Sequence, residues 1–319
     1  MPHRAPLSSR RAITAIERAV RALPSGPLLI AVSGGRDSMV LLDALARTTH
    51  RDAQVATFDH GTSAAAAQAV RLVVARATAL GLPVTADRAR RRVATEAAWR
   101  AQRYRFLSAL AVAHRATIVT AHTADDQTET VFMRLLRAAG PRGLAGMAAA
   151  SPIARPLLAV TRAEIDAYAA AREIAFIDDP TNADPHYLRN RVRHELLPAF
   201  EAVRPGFRRW LISLGDRAAA LRAEVAAAAR AAGVRQVGAQ VIVPRSLVIA
   251  SPAAFAALWW PEVASWVGLT VDRRGLARVL EWAPRAAVGS SIQLSRGGEL
   301  QAHAHTIVVT APEGTGTSE

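Results

Sequence analysis

Apolar residues in this chain follow two rhythms, short unbroken runs and runs with one apolar face every three or four positions. Residues 28–32 are an unbroken apolar run and read as a buried strand, followed by a helical pattern over 37–46. Residues 54–59 predict a second strand. Residues 64–80 predict a helix closed by Gly81 and Pro83, and 83–87 a short strand. The pattern then predicts a helix over 95–113, a strand over 117–121 and a helix over 126–138 that stops at Gly140 and Pro141. Upstream, Ala12, Ile13, Ile16 and Val20 fall at helical spacing and Glu17 interrupts a basic run. An amphipathic first helix is therefore favoured over an organellar transit peptide.

Strand and helix in alternation predict the α/β class, a parallel sheet with helices on both faces. Ligands of such sheets bind at the carboxyl ends of the strands. This domain is expected to span residues 1–200. Residues 196–232 look helical throughout, and 218–232 is alanine-rich with spaced arginines, so 201–233 reads as a helical connector stopped by Gly233. Residues 234–312 contain Trp259, Trp260, Trp266 and Trp282, then alternating strands over 291–294 and 306–310 around Gly297 and Gly298. They predict a small α+β C-terminal domain. Residues 313–319 read as a frayed tail.

Composition narrows the picture. A chain of 319 residues suits about two domains at roughly 100–200 residues each. Its 51% hydrophobic and 21% charged residues are globular proportions. No apolar run approaches the roughly 20 residues a bilayer span needs. There are 40 basic residues against 26 acidic, a net charge of +14, and every basic residue is arginine. Codon bias accounts for arginine in place of lysine but not for the excess of positive charge. Guanidinium groups suit phosphate, so nucleic acid is the leading partner. The chain has no cysteine, which excludes disulfides, thiolate metal sites and thiol nucleophiles.

The sharpest local signal is Ser33, Gly34, Gly35, Arg36, Asp37 and Ser38, between a buried strand and a helix. Two glycines let the backbone approach a ligand closely, and the helix start offers free N–H groups. With the two serine hydroxyls they make a cup for phosphate. Asp37 would repel a bare phosphate and makes sense if Mg²⁺ bridges the two. The loop is not a Walker A motif, which requires lysine. A second signal follows the strand at 117. Asp125, Asp126 and Glu129 share one face of a helix that starts near Asp125. Taken alone, that turn reads first as a capped helix start. Beside a phosphate loop, its carboxylates are candidates for holding Mg²⁺ or an ammonium group.

Residues 33–38 resemble the loop of the PP-loop ATP pyrophosphatase superfamily, whose members split ATP between the α and β phosphates. Several further blocks resemble the bacterial tRNA(Ile)-lysidine synthetase family in order and spacing. They are Thr120, His122, Asp125, Asp126, Gln127, Glu129 and Thr130; Arg134 through Arg137 to Gly143, Gly146 and Met147; and Arg155, Pro156, Leu157 and Leu158. Asp179, Pro180, Thr181, Asn182, Asp184, Tyr187, Arg189, Asn190 and Arg193 follow, and Arg100, Arg103 and Tyr104 match a helix of the family. These blocks cover residues 28–198. The chain departs from the family at Thr62 and Ser63, where Leu-Arg is usual, and at Thr123, where a second histidine is frequent. The resemblance describes a short form without the extra final domain of some members.

The resemblance implies a PP-loop, adenine nucleotide alpha hydrolase-like fold and a cytoplasmic ligase, and leaves a homodimer open. ATP would adenylate the C2 carbonyl oxygen of the wobble cytidine in a CAU-anticodon tRNA(Ile), and the ε-amine of L-lysine would then displace AMP. Residues 33–38 would hold ATP, with Asp37 on Mg²⁺. Asp126 and Glu129 would receive the lysine ammonium, with Asp37, Asp126 and Glu129 as the catalytic carboxylates. Arg189 is the candidate for the lysine carboxylate, against a plain pairing with Asp184. Arg100, Arg103, Arg105, Arg191 and Arg193 are candidates for the tRNA, against the ordinary reading of solvated basic faces. The C-terminal domain is the candidate for tRNA recognition, although Trp259, Trp260 and Trp266 on apolar segments read first as core. His303 and His305 would face one side of a strand but have no acid or thiol partner for a metal. His114 and His194 are read as structural, and the role of His60 stays open. Two other readings remain: a different ATP pyrophosphatase, and an RNA-binding protein with a degenerate nucleotide loop. Intact Ser33, Asp37 and Ser38 speak against the second.

Overall fold

The structure is a computed structural model, and it describes residues 9–48, 52–61, 63–89, 96–178 and 186–312. Two packing units divide the chain. The first comprises the chain to Arg137 together with Gly146–Gly215, and the second comprises Ala138–Ala145 and the described chain from Asp216 onward.

In the first unit, α1 (Ser9–Arg21) is followed by β1 (Leu28–Ala31), α2 (Arg36–Thr48), β2 (Ala53–Asp59), α3 (Ala64–Ala79) and β3 (Val84–Arg88). Next come α4 (Glu96–His114), β4 (Thr117–Val119) and α5 (Ala124–Leu136). The strands form a parallel sheet of order β3-β2-β1-β4. Ala154 extends its β4 edge through a parallel bridge to Val119. The apolar run at β1 is unbroken because both faces of the strand are covered. Leu28 and Ile30 pack with Ile16, Val20, Val40, Leu41 and Val73. Leu29 turns the other way, to Ala56, Tyr104, Leu107 and Ile118. In α1 the buried positions are Ala12, Ile16 and Val20, as the amphipathic pattern predicts.

Strand order reverses between β1 and β4, the switch point at which sheets of this kind have their ligand crevice, outside the carboxyl ends of the strands. The two segments with candidate chemistry both start at that crevice, one after β1 and one after β4.

The chain continues through α6 (Pro141–Leu144), α7 (Arg162–Ala171), α8 (Leu188–Arg191), α9 (Leu197–Val203) and α10 (Phe207–Ala231). The helix expected over 196–232 is interrupted. Pro205 and Gly206 separate α9 from α10, and Gly206 has φ +91°. A π-helical turn at Val192–Leu196 joins α8 to α9, beside Pro198, which lacks the N–H of a regular helix. Helix α10 runs without a break through Gly215, where the packing units divide. The excursion at Ala138–Ala145, grouped with the second unit, has no counterpart in the sequence pattern.

The second unit holds β5 (Arg235–Val237), β6 (Gln240–Pro244), α11 (Arg245–Ala250), α12 (Ala253–Ser265) and α13 (Arg273–Trp282). It ends in β7 (Ser291–Gln293), β8 (Glu299–Ala302) and β9 (Thr306–Thr310). The sheet is antiparallel, with order β5-β6-β9-β8-β7, so the α+β expectation holds. Trp259 and Trp260 stack at 4.3 Å and are buried against Val241, Val243, Leu300 and Ile307, which makes them core. Buried Glu262 receives Arg222 at 2.8 Å and Arg142, from α6, at 3.6 Å. His303 and His305 lie in the turn between β8 and β9, not on a strand as the alternating pattern suggested. No helix among the described residues is long and apolar enough to cross a membrane.

Candidate functional site at the sheet switch point

Gly34 shapes the first half of the site. Its φ is +84°, and a Cβ there would lie 2.7 Å from the Ala69 Cβ and 2.9 Å from the Ala69 carbonyl oxygen. Only glycine meets both demands. Gly34→Ala is expected to lose about 2–4 kcal/mol of stability, from left-handed strain plus overpacking. A thermal melt unchanged by the substitution would contradict this account of the loop. The Ser33 N–H donates to Ser38 Oγ at 3.2 Å, and Ser38 Oγ donates to the Gly35 carbonyl at 2.9 Å. The two serine hydroxyls lie 3.2 Å apart. The Ile177 N–H donates to the Gly34 carbonyl at 3.0 Å and fastens a later segment along the loop.

Asp37 stands in the first turn of α2, directly after the loop. Burial pushes its carboxyl up to about 6, although Arg162 pulls the other way. Arg162 Nη1 lies 3.3 Å from Asp37 Oδ1 and 3.4 Å from Oδ2.

The second half is the start of α5. Thr123 is the N-cap: its N–H donates to Asp126 Oδ2 at 2.9 Å, and the Asp126 N–H donates back to Thr123 Oγ1 at 3.4 Å. The capping reading of this turn is therefore realised, by the Thr123–Asp126 pair. It coexists with a charge cluster. Arg189 Nη2 donates to Asp126 Oδ1 at 2.6 Å, and Arg189 Nε donates to Glu129 Oε2 at 2.7 Å. Arg193 Nε donates to Glu129 Oε1 at 2.6 Å and its Nη2 to Oε2 at 3.1 Å. Glu129 is 1% exposed, and both of its oxygens are occupied by guanidinium groups. Burial opposes the charges of Arg189 and Arg193, but Glu129 and Asp126 outweigh it and leave both above the ordinary arginine value. Burial also pushes Asp126 up. Arg189, the Thr123 N–H and His122 overcome this and hold its carboxyl below the usual range. His122 is lowered to about 4, chiefly by burial, and its Nδ1 lies 2.8 Å from Thr120 Oγ1.

Arg162 joins the two halves. Its N–H donates to Asp125 Oδ2 at 2.8 Å while its guanidinium faces Asp37. Arg208 meets the other Asp125 oxygen at 3.3 Å. Asp166 pairs with Arg162 Nε at 3.3 Å and also with Arg36, whose guanidinium lies 4.5 Å from the centre of the Phe176 ring. Sequence reasoning missed Arg162, Asp166 and Arg208. A signal for Arg162 was present: Thr161 and Glu164 form a capping box, which marks a helix start soon after the Arg155–Leu158 block.

The remaining sequence candidates are more scattered. Arg100 and Arg103 both lie against the Tyr104 ring, at 5.2 and 5.5 Å. Arg100 is exposed, whereas Arg103 is half-buried and burial pulls it below the ordinary arginine value. Arg105 is exposed. Arg191 is turned away from Glu129 and lies 3.7 Å from Glu195, so the run 189–193 splits by helical spacing into two faces. His60 packs edge-on to Phe58 and lies 6.3 Å from the Trp99 ring. His114 and His194 are exposed. Thr62 and the block Asp179, Pro180, Thr181, Asn182 and Asp184 lie outside the described residues, as do the tail 313–319 and the proposed Asp184 partner of Arg189. Among the described residues no cluster of three or more histidines and carboxylates forms a metal cage.

A parallel sheet with a glycine loop at its switch point defines a class of α/β domains built around that loop. The PP-loop domain model matches residues 8–200, and the chain belongs to that family. It is 44% identical over 205 residues to the tRNA(Ile)-lysidine synthase of Salinispora tropica, covering 59% of this chain and 62% of that protein. With the tRNA(Ile)-lysidine synthase of Geobacter sulfurreducens it shares 41% identity over 197 residues, 57% of this chain and 42% of that protein. The chain thus spans less than two thirds of the length of these relatives. Among solved structures, the U34-tRNA thiolase NcsA of Methanococcus maripaludis shares the fold. Its TM-score is 0.53 at 15% identity, over 66% of this chain and 79% of that one.

Proposed function

We propose that this chain is a cytoplasmic tRNA(Ile)-lysidine synthetase that joins L-lysine to C2 of the wobble cytidine in the CAU-anticodon tRNA(Ile). The observation that carries the reading is the pairing of the phosphate loop and the acidic turn of α5 across one crevice, tied by Arg162 from Asp37 to Asp125. The relatives and the net charge of +14 support it.

In this reading the loop amides and the first turn of α2 receive the phosphates of ATP. Asp37 supplies one hard oxygen for Mg²⁺. A single carboxylate fits that ion, which takes its other ligands from phosphate and water. Bound Mg²⁺ would offset the charge on the departing pyrophosphate. The cytidine O2 is adenylated. The ε-amine of lysine then forms the C2–N bond as the C2–O bond breaks and AMP leaves. The base must be out of its stack to enter the crevice, and Arg100, Arg103, Arg105, Arg191 and Arg193 remain the candidates for holding RNA.

The geometry supports a division of roles within the proposed lysine site. Glu129, saturated by Arg189 and Arg193, positions those two guanidinium groups. Asp126 has the more accessible side chain, 14% exposed, and in this reading seats the ammonium group on Oδ1 as Arg189 turns from it to the lysine carboxylate. Its lowered pKa suits it to orienting the amine more than to taking its proton. Arg189 is the partner for the lysine carboxylate.

The test combines purified protein, ATP, Mg²⁺, labelled lysine and a CAU-anticodon tRNA(Ile) transcript. The expected result is lysine in the RNA with one pyrophosphate released per lysine. Pyrophosphate without incorporation would keep adenylation and reject lysine as nucleophile. Neither signal, from folded protein that binds ATP, would overturn the reading.

A further inference from the structure

Arg162 has no role in the reaction outlined above, yet it bridges the two halves of the site. Its guanidinium sits 3.3 and 3.4 Å from the two oxygens of Asp37, the carboxylate assigned to the cation. Its backbone is fixed: Thr161 caps α7, and the Arg162 N–H is held by Asp125 in the first turn of α5. Its side chain is less confined, at 42% exposed, and a second carboxylate, Asp166, lies 3.3 Å from Nε. A fixed base, a partly exposed head and an alternative partner suit a group that changes partners. Two cations compete for one carboxylate, so a metal ion arriving at Asp37 must displace the guanidinium already there. The displaced head would then lie beside the loop, where phosphate arrives with that cation, and guanidinium pairs well with phosphate.

We propose that Arg162 is a placeholder cation: it neutralises Asp37 while the loop is empty, yields that carboxylate to Mg²⁺, and turns onto the β,γ-pyrophosphate of the incoming nucleotide. The placeholder role rests on the loop's being an ATP site, and the role in pyrophosphate departure rests also on the proposed adenylation of tRNA, but neither rests on lysine. Arg162 is then both a brake on binding of the cation alone and a catalytic residue for pyrophosphate departure. Those two roles make opposite predictions for one substitution, which a purely structural role does not.

The experiment uses the full chain and Mn²⁺ as a paramagnetic probe. Without nucleotide, Arg162→Gln should bind Mn²⁺ about fivefold to tenfold more tightly than the unsubstituted protein, because the competitor is gone. With MgATP and the tRNA transcript, the same variant should release pyrophosphate about a hundredfold more slowly. Arg162→Lys, which restores a cation, should bring Mn²⁺ affinity back toward the original and recover part of the rate. Ala170→Gly, at an exposed position of α7, leaves Arg162, Asp166 and Asp37 in place and checks that any effect is not general loosening of α7; it should change Mn²⁺ affinity less than twofold. Unchanged or weaker Mn²⁺ binding in Arg162→Gln overturns the placeholder role. Pyrophosphate release within twofold of the original overturns the catalytic one. No Mn²⁺ signal in either protein, or a signal that survives unchanged in Asp37→Asn, means that the ion does not bind at Asp37 and overturns the proposal as a whole. That outcome still leaves the lysine-incorporation assay free to succeed, so the two failures are distinguishable.

Discussion

Glu129→Ala is expected to lower stability by about 3–5 kcal/mol, the usual penalty for stranding buried charge, and to reduce lysine ligation about a hundredfold or more. The reason lies in what remains after truncation. Glu129 is 1% exposed and accepts three hydrogen bonds from Arg189 and Arg193. Removing it leaves two guanidinium groups with only Asp126 between them. Both would swing toward water, and the geometry of Arg189 opposite Asp126 would go with them. Glu129→Gln should be milder, since an amide oxygen still accepts one of these bonds. The measurements are urea unfolding followed through the first unit and single-turnover ligation. If Glu129→Ala matched the original midpoint, the cluster would be a solvated surface pairing and the positioning role assigned to Glu129 would fall.

Asp37→Asn should act in opposite directions on activity and stability. In the proposed reaction it removes the cation ligand, and pyrophosphate release should fall about a hundredfold to a thousandfold. Stability at pH 7.5 should rise. Burial lifts the Asp37 carboxyl from 3.8 to about 6, so between these values the folded protein binds the proton more readily than the unfolded chain. Stability from this group therefore falls as pH climbs through that window, and it stays lower above it. Two pKa units correspond to roughly 3 kcal/mol. The side chain is 28% exposed and faces Arg162, so about 1–2 kcal/mol is the realistic gain for the asparagine variant. The gain should vanish below about pH 4. His122 behaves in the opposite sense, since its value is lowered to about 4 and its contribution is lost as pH falls from its ordinary value of 6.5. Comparing Asp37→Asn with the original protein at each pH cancels the His122 contribution. A variant that is less stable at pH 7.5 would show that Arg162 more than compensates the buried carboxylate.

Much of the first unit was legible because its signals are local. Strand β1 is an apolar run buried on both faces, α1 has its core positions at helical spacing, and the glycine loop sits between strand and helix. Local signals failed where long-range packing decides. Strand β8 and the β5–β6 hairpin are short and take their place from neighbouring strands, so the sequence pattern around 291–310 suggested only two strands. For the same reason His303 and His305 fell to a turn. The break before α10 was locally marked, by Pro205 and Gly206, but the surrounding helical composition concealed it.

The same division holds within the candidate site. Residue types and spacing singled out Ser33–Gly34–Gly35 and Asp37 as a compact run, Asp126 and Glu129 became candidates only beside that loop, and Arg189 became one through the family resemblance. Which of them touch was decided only by the fold. Arg189 meets Asp126 and Glu129 across more than 50 positions of chain, and Arg162 reaches Asp37 across more than 100. A sequence carries no local record of such pairings, because a charged side chain looks alike whether it is solvated or buried against a distant partner. The sequence by itself determined the parallel α/β domain, its phosphate loop and its carboxylates. The tertiary structure decided that Glu129 is spent on two arginines, that Asp126 caps its own helix, and that Arg162 stands on the carboxylate assigned to the cation. Burial and charge pairing are properties of the folded arrangement, and only there do they acquire a direction.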